Sequence, residues 1–309
     1  MNIQPGSETP IRVLAFYDVE GWAWWHRAHQ IKKNLPPDIQ MDIQKIHSEY
    51  DHRRYDLIML FDYYHLSEPG WIIPPPDKLI VGCSCPKLLE EAVIVIQIAN
   101  CLAGIVNNLA GFKQVEHTGK FYCCQNGVDE ELFYPSTNLP TEFRACWVGN
   151  PDSIGNKGLD LINRACEISA TPRMTLATNA TLAKPMPQEQ VRDELYHQSS
   201  CYICASEWEG TPNPGLESLA CGLPVISTRV GNMVELIQDG QNGFLVDRSA
   251  ESIAAALTKL RSMDQSQLRR NARESILNGW TWSAQTQKYA AMFRELAARV
   301  RPQWGLPRA

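Results

Sequence analysis

The 309-residue chain has no apolar run long enough to span a bilayer; the longest, Ala92 to Val106, is broken by Gln97 and Asn100. Its first ten residues are polar and lack the charged-then-apolar layout of a signal peptide. Both absences lead to the expectation of a soluble, cytoplasmic protein. Positive charge is also scarce where a polyanion would need it. Residues 1–140 hold 11 Lys and Arg against 17 Asp and Glu, the remainder 18 against 17, for a net charge of −5. Nucleic acid and anionic lipid both require a Lys/Arg surface, so neither is an expected partner. No internal repeat or low-complexity tract is present. The composition, 44% hydrophobic and 20% charged, is that of a globular protein whose length implies two domains. Cysteine is plentiful, with ten residues, but only Cys201 and Cys204 have the pair spacing of a metal site, and no second pair accompanies them. Their apolar surroundings make them small buried hydrophobes, and no metal is expected.

Short apolar runs alternate with helical patterns along the whole chain. Strands are expected at 11–17, 57–61, 78–82, 102–106, 144–149, 174–178, 201–205 and 224–227, and the segment 119–125 closes the first half. Helices are expected at 22–35, 86–99, 159–168, 188–196, 214–221 and near 233–237, followed by three amphipathic helices at 251–261, 265–277 and 282–300. Alternating β and α elements build parallel sheets covered by helices on both faces. The expected fold is α/β, with two doubly wound Rossmann-like domains facing across a cleft and ligands bound at the carboxyl ends of the strands. The boundaries read 1–137 for the first domain, rejoined by a C-terminal helix over 284–309, and 138–283 for the second.

Chemistry concentrates after the expected strand 201–205. There the chain reads Ser206-Glu-Trp-Glu209-Gly-Thr-Pro-Asn-Pro-Gly-Leu-Glu217. Asn213 suits an N-cap, Pro214 the first helical position and Gly222 the position just past the end. A helix N-terminus at the end of a strand favours an anion such as a diphosphate. Pro212 and Pro214 have no N–H, so the expected amide donors are Gly210, Thr211, Asn213 and Gly215. Glu209 and Glu217 flank this site with seven residues between them. Each carboxylate can accept hydrogen bonds from a vicinal diol, so the pair suits a diphosphate with a sugar at either end.

This segment resembles the Glu-x7-Glu signature of the family-4 glycosyltransferases, which have the GT-B fold. The resemblance continues through Val225–Asn232 and Glu235–Val246, and upstream at Asn126-Gly-Val-Asp129 with Phe133 and Pro135. It implies a retaining, metal-independent hexosyl transfer. The second domain would bind a nucleoside diphosphate-sugar as substrate, and the first a saccharide or protein-borne acceptor. Glu217 would hold the ribose and Glu209 the transferred sugar. Trp147-Val-Gly-Asn150 followed by Lys157-Gly158 is similar to the family's diphosphate-binding segment. Lys157 is thereby assigned to the leaving diphosphate, while Asn150 stands where the family has Arg, in a loop about two residues longer than the family pattern.

The first half carries fewer signals. Gly21, in the turn after the first strand, allows close backbone approach to the donor. Trp22, Trp24 and Trp25 follow; packing is expected for at least two of them, and Trp22 is the candidate for stacking on an acceptor sugar. The family's His after a central strand is missing from Leu79–Cys85, which leaves His65 as the acceptor-side candidate. A dinucleotide-dependent oxidoreductase would need Gly-x-Gly-x-x-Gly after the first strand, and Phe16-Tyr-Asp-Val-Glu-Gly21 does not supply it. The alternative is a catalytically silent nucleotide-sugar- or saccharide-binding protein on the same fold.

Overall fold

A computed structural model describes residues 9–302 except 68, 139, 151–155 and 178–185. The chain divides into two compact units. The first runs to Gln125 and resumes at Trp282; the second is Asn126–Thr281. The division at 125/126 precedes the expected 137/138, because the segment around Val128 pairs with Thr281 and Phe133 lies in the second unit's core. Among the described residues no helix is long and apolar enough to cross a membrane.

The first unit contains β1 (Ile11–Tyr17), α1 (Ala23–Asn34), β2 (Ile39–Lys45), β3 (Leu57–Leu60), β4 (Leu79–Cys83), α2 (Ala92–Ala99), β5 (Ala103–Val106), α3 (Leu109–Val115) and β6 (Phe121–Cys123). Its six strands are parallel, in the order β2-β1-β3-β4-β5-β6. Side chains alternate across a strand, and each face has its own core. Val13, Ala15, Leu57 and Met59 enter one, Leu14, Phe16, Ile58 and Leu60 the other. β3 and β4 are therefore buried throughout and read as continuous apolar runs. β2 escaped the sequence reading because it is an edge strand, with Gln40, Asp42, Gln44 and Lys45 among its seven residues. The helix expected over 86–99 is instead a 3₁₀ turn at Pro86–Glu90 followed by α2.

The second unit contains β7 (Ala145–Gly149), α4 (Leu159–Ile168), β8 (Arg173–Ala177), α5 (Gln188–Val191), β9 (Cys201–Cys204), α6 (Asn213–Ala220), β10 (Val225–Thr228), α7 (Met233–Leu236), β11 (Gly243–Val246), α8 (Ala250–Arg261) and α9 (Gln265–Leu277). Its parallel sheet runs β11-β10-β9-β7-β8. Counted within the unit, this is the same winding as in the first. In both sheets the strand order reverses beside the first strand, between β1 and β3 and between β7 and β9. At such a reversal neighbouring crossovers leave on opposite faces, which opens a crevice beyond the carboxyl ends of the strands.

The last helix, α10 (Trp282–Val300), belongs to the first unit, where Tyr289, Phe293 and Leu296 join the core on one face of the sheet. Arg27 of α1 is buried beside it, donating to the Tyr289 hydroxyl through Nε at 3.0 Å and to the Cys124 carbonyl at 3.3 Å. Just past α10, buried Arg301 pairs with buried Asp56 at 3.0 Å and donates to the carbonyls of Thr9 and Pro10. None of the ten cysteines is in a disulfide; Cys201 and Cys204 are buried in β9.

Candidate functional site

The segments that follow β7 and β9 meet at the second sheet's reversal. After β9 the chain runs from Ala205 to Pro212 and enters α6; after β7 it passes Asn150, and it is described again from Asn156 into α4. Gly158 joins the two at φ +64°, where a Cβ would lie 2.4 Å from the Ala205 carbonyl oxygen, so only glycine fits without displacing backbone. Asn156 stitches the segments further. Its carbonyl accepts the Glu207 amide at 2.7 Å and its Oδ1 the Trp208 amide at 3.2 Å.

Between these anchors Glu209 and Lys157 form an ion pair, and the Ser206 hydroxyl donates to the same Glu209 Oε1 at 2.8 Å. The Glu209 side chain is 15% exposed and that of Lys157 31%, so the pair is half withdrawn from solvent yet reachable. Two residues assigned separately, one to a sugar and one to a diphosphate, thus touch each other. Ser206 is buried, and its carbonyl accepts from Thr228 Oγ1 at 2.6 Å. Arg248 Nε donates to the Ala205 carbonyl at 3.1 Å. Gly231, at φ +48°, lets the turn after β10 lie against Gly210, whose carbonyl would be 2.3 Å from a Cβ there. Asn232 Nδ2 donates to Thr211 Oγ1 at 3.3 Å.

Helix α6 begins one residue earlier than expected. Pro212 occupies the cap and Asn213 is the first helical residue; its Oδ1 accepts from Asn126 Nδ2 at 3.0 Å instead of capping an amide. The Gly215 amide is committed to the Pro212 carbonyl at 2.9 Å, which removes it from the expected donors. Glu217, half-buried on α6, accepts the Tyr196 hydroxyl at 2.7 Å through Oε2. Burial pushes its carboxyl up to about 7, against the opposing pull of that hydrogen bond. Ser206, Tyr196, Asn156 and Arg248 carry no motif signal. Tyr196, Asn156 and Arg248 act through partners distant in sequence, which only folding reveals, whereas Ser206 reaches Glu209 three residues on.

At the first sheet's reversal the side chains differ. Gly21 has φ +75°, and Trp22, 42% exposed, precedes α1. Trp24 packs on the core, with its ring 5.2 Å from that of His65 and 5.4 Å from that of Tyr64. His65, the acceptor-side candidate, is buried as a packed ring in a 3₁₀ turn, Tyr63–Ser67. Asp62, also buried, is pushed up to about 6 by desolvation, against the opposing pull of the Tyr63, Ser84 and Tyr64 amides. The sequence reading missed Asp62.

With this geometry in view, comparison with known proteins is informative. Residues 174–276, from β8 into α9, match the family described as Glycosyl transferases group 1. The match lies within the second unit, with Tyr196, Glu209 and Glu217 inside it and Lys157 before it. A D-inositol 3-phosphate glycosyltransferase from Acidothermus cellulolyticus is 38% identical over 72 residues, 23% of this chain and 16% of that protein. The chain spans between 14% and 35% of the lengths of the curated relatives it matches. Among solved structures, a sucrose-phosphate synthase from Thermosynechococcus elongatus superposes with a TM-score of 0.70 at 14% identity, covering 94% of this chain and all of that one. Anabaena HepE, solved with UDP and glucose, gives 0.66 at 13% identity over 91% and 99% of the two chains. Likeness at that identity establishes the fold, and the fold is GT-B, two Rossmann-like α/β domains. Nothing in these comparisons supports the silent binding protein.

Proposed function

We propose that the protein is a retaining glycosyltransferase that moves a sugar from a nucleoside diphosphate-sugar to an acceptor hydroxyl. The observation that carries this reading is the convergence of Lys157, Glu209 and the start of α6 at the second sheet's reversal, with Glu217 on the same helix. The α6 N-terminus and Lys157 suit the diphosphate, whose negative charge grows as the glycosidic bond breaks. Glu217 accepts from the ribose hydroxyls and Glu209 from the hydroxyls of the transferred sugar. In the reaction the bond from the anomeric carbon to the phosphate oxygen breaks and a bond to the acceptor oxygen forms on the same face. The acceptor proton passes to the departing phosphate, so the step requires no enzymic nucleophile and no metal. The first unit, with exposed Trp22, takes the saccharide or protein-borne acceptor.

Thermal unfolding against UDP-, GDP-, ADP- and TDP-sugars tests the donor site. Ligand at about a hundredfold its Kd stabilises the folded state by about 2.7 kcal/mol, so one nucleotide series is expected to raise the melting temperature by several degrees. Glu217→Ala is expected to abolish that rise. Absence of any shift at millimolar concentration overturns the reading, and binding without transfer to any acceptor returns the silent protein.

A further inference from the structure

Helix α5 does not end as an α-helix. After Val191 it widens into a π-turn, Arg192–Tyr196, closed by a bond from the His197 amide to the Arg192 carbonyl at 2.8 Å. A π-turn is uncommon and advances fewer degrees per residue than an α-turn, so the side chain at its end points to a different face. Tyr196 stands at that end. It is fully buried, with its ring 6.1 Å from Phe133 and 6.4 Å from Tyr202, and its hydroxyl reaches Glu217 on α6, twenty-one residues on. We propose that Tyr196 is a positioning residue for nucleotide binding: the π-turn aims its phenol at Glu217, fixing one carboxylate oxygen and favouring the ionised form that accepts a ribose diol. This rests on the donor-site reading above and adds a residue to it.

The surroundings isolate this contact. The titratable groups packed near Glu217 are the Tyr196 phenol, the Tyr202 phenol on β9, the Cys146 thiol on β7 and the Cys221 thiol following α6. Burial pushes every one of them up, so all stay neutral near pH 7. Among the charged groups, Arg192 and Arg273 bear on Cys221, Arg269 on Cys146, and Glu209 on Tyr202. Glu217 is thus the member of this cluster that changes charge around neutrality, and the Tyr196 hydroxyl is the donor that favours its ionised form. Without the hydroxyl the carboxyl takes up a proton at higher pH, and a protonated carboxyl is a poorer acceptor for two hydroxyls.

The test measures Kd for UDP, GDP, ADP and TDP by calorimetry between about pH 5.5 and about pH 8.5, on wild type, Tyr196→Phe and Glu217→Gln. For the nucleotide that binds, wild-type affinity is expected to fall as the pH drops through 7. Tyr196→Phe is expected to move that midpoint up by about one pH unit and to weaken binding at pH 7 by up to about tenfold. Glu217→Gln is expected to bind weakly and without the transition. If Glu217→Gln behaves this way and Tyr196→Phe keeps the wild-type midpoint, Tyr196 only packs and the proposal fails while the donor site stands. If no nucleotide binds wild type, or Glu217→Gln matches it at every pH, both fail together. Site-specific 3-fluorotyrosine at position 196 covers the case in which the Phe variant does not fold. It has nearly the same shape and is a stronger donor, so the midpoint must move down; an unmoved midpoint overturns the proposal.

Discussion

The two units wind their sheets in the same order and reverse it at the same place, yet their crevices hold different chemistry. In the second unit the crevice carries charge: Lys157 on Glu209, Ser206 beneath it, and Glu217 on the following helix. In the first it carries rings, with Trp24 and His65 edge to face and Tyr64 tilted against both, near the buried carboxylate of Asp62. A strand-order reversal supplies a crevice and nothing more; the residues on the loops decide what it can hold. A polar crevice with a helix N-terminus suits a charged diphosphate, and an aromatic one suits the faces of a saccharide.

That contrast can be broken at three points. The largest effect is expected in the frame of the first unit. Asp56→Ala leaves the Arg301 guanidinium buried without its carboxylate, which costs about 3–5 kcal/mol. The check is calorimetric unfolding, in which the transition of the first unit falls while nucleotide binding by the second, at temperatures below that transition, is retained. Equal loss in both shows that the two do not unfold separately.

Next comes Lys157→Met. On the role proposed for Lys157, stabilising the charge that develops on the leaving diphosphate, its loss is expected to lower kcat by about a hundred- to a thousandfold, with a smaller change in KM for the acceptor. Trp22→Ala is expected to do the reverse, raising acceptor KM and sparing nucleotide affinity. An unchanged rate in Lys157→Met would leave that residue as nothing more than a tether for Glu209.

The third comparison concerns the two raised carboxyls. Asp62 moves from 3.8 to about 6 and Glu217 from 4.5 to about 7, both chiefly through burial. A carboxyl whose pKa rises on folding favours the folded state below its unfolded pKa, and that advantage is lost as pH rises through the folded value. Neutral replacements are spared this loss. Relative to wild type, Asp62→Asn and Glu217→Gln are therefore expected to gain about 3 kcal/mol between about pH 4 and about pH 8. The gain for Asp62→Asn is complete nearer pH 6 and that for Glu217→Gln nearer pH 7. Urea unfolding across this range measures both, and parallel curves for variant and wild type would show that neither group is desolvated as described.

Where a segment's fate depends on its own pattern, the sequence was readable to the residue. Helices α4, α9 and α10 have the bounds that apolar periodicity implies. For α9 the cap is local too, with Asp264 accepting the Ser266 and Gln267 amides. The buried strands β3, β4 and β9 were legible to within a residue at each end, since a strand covered on both faces is apolar throughout. Edge strands β2 and β11 were not, because half their surroundings are solvent and short polar or glycine-containing runs satisfy them. In the candidate site, Glu209 and Glu217 stood out by their spacing around a helix start, which lies one residue before the expected one, and Lys157 by the resemblance of its segment to a family pattern. Their partners did not. Lys157 and Glu209 are fifty-two residues apart, and Tyr196 and Glu217 twenty-one. Nothing in a linear pattern records that β7 lies beside β9, or that a π-turn swings a buried phenol toward α6. Local propensity acts over one or two turns of chain, whereas the charge state of a carboxylate depends on whatever the completed fold packs around it.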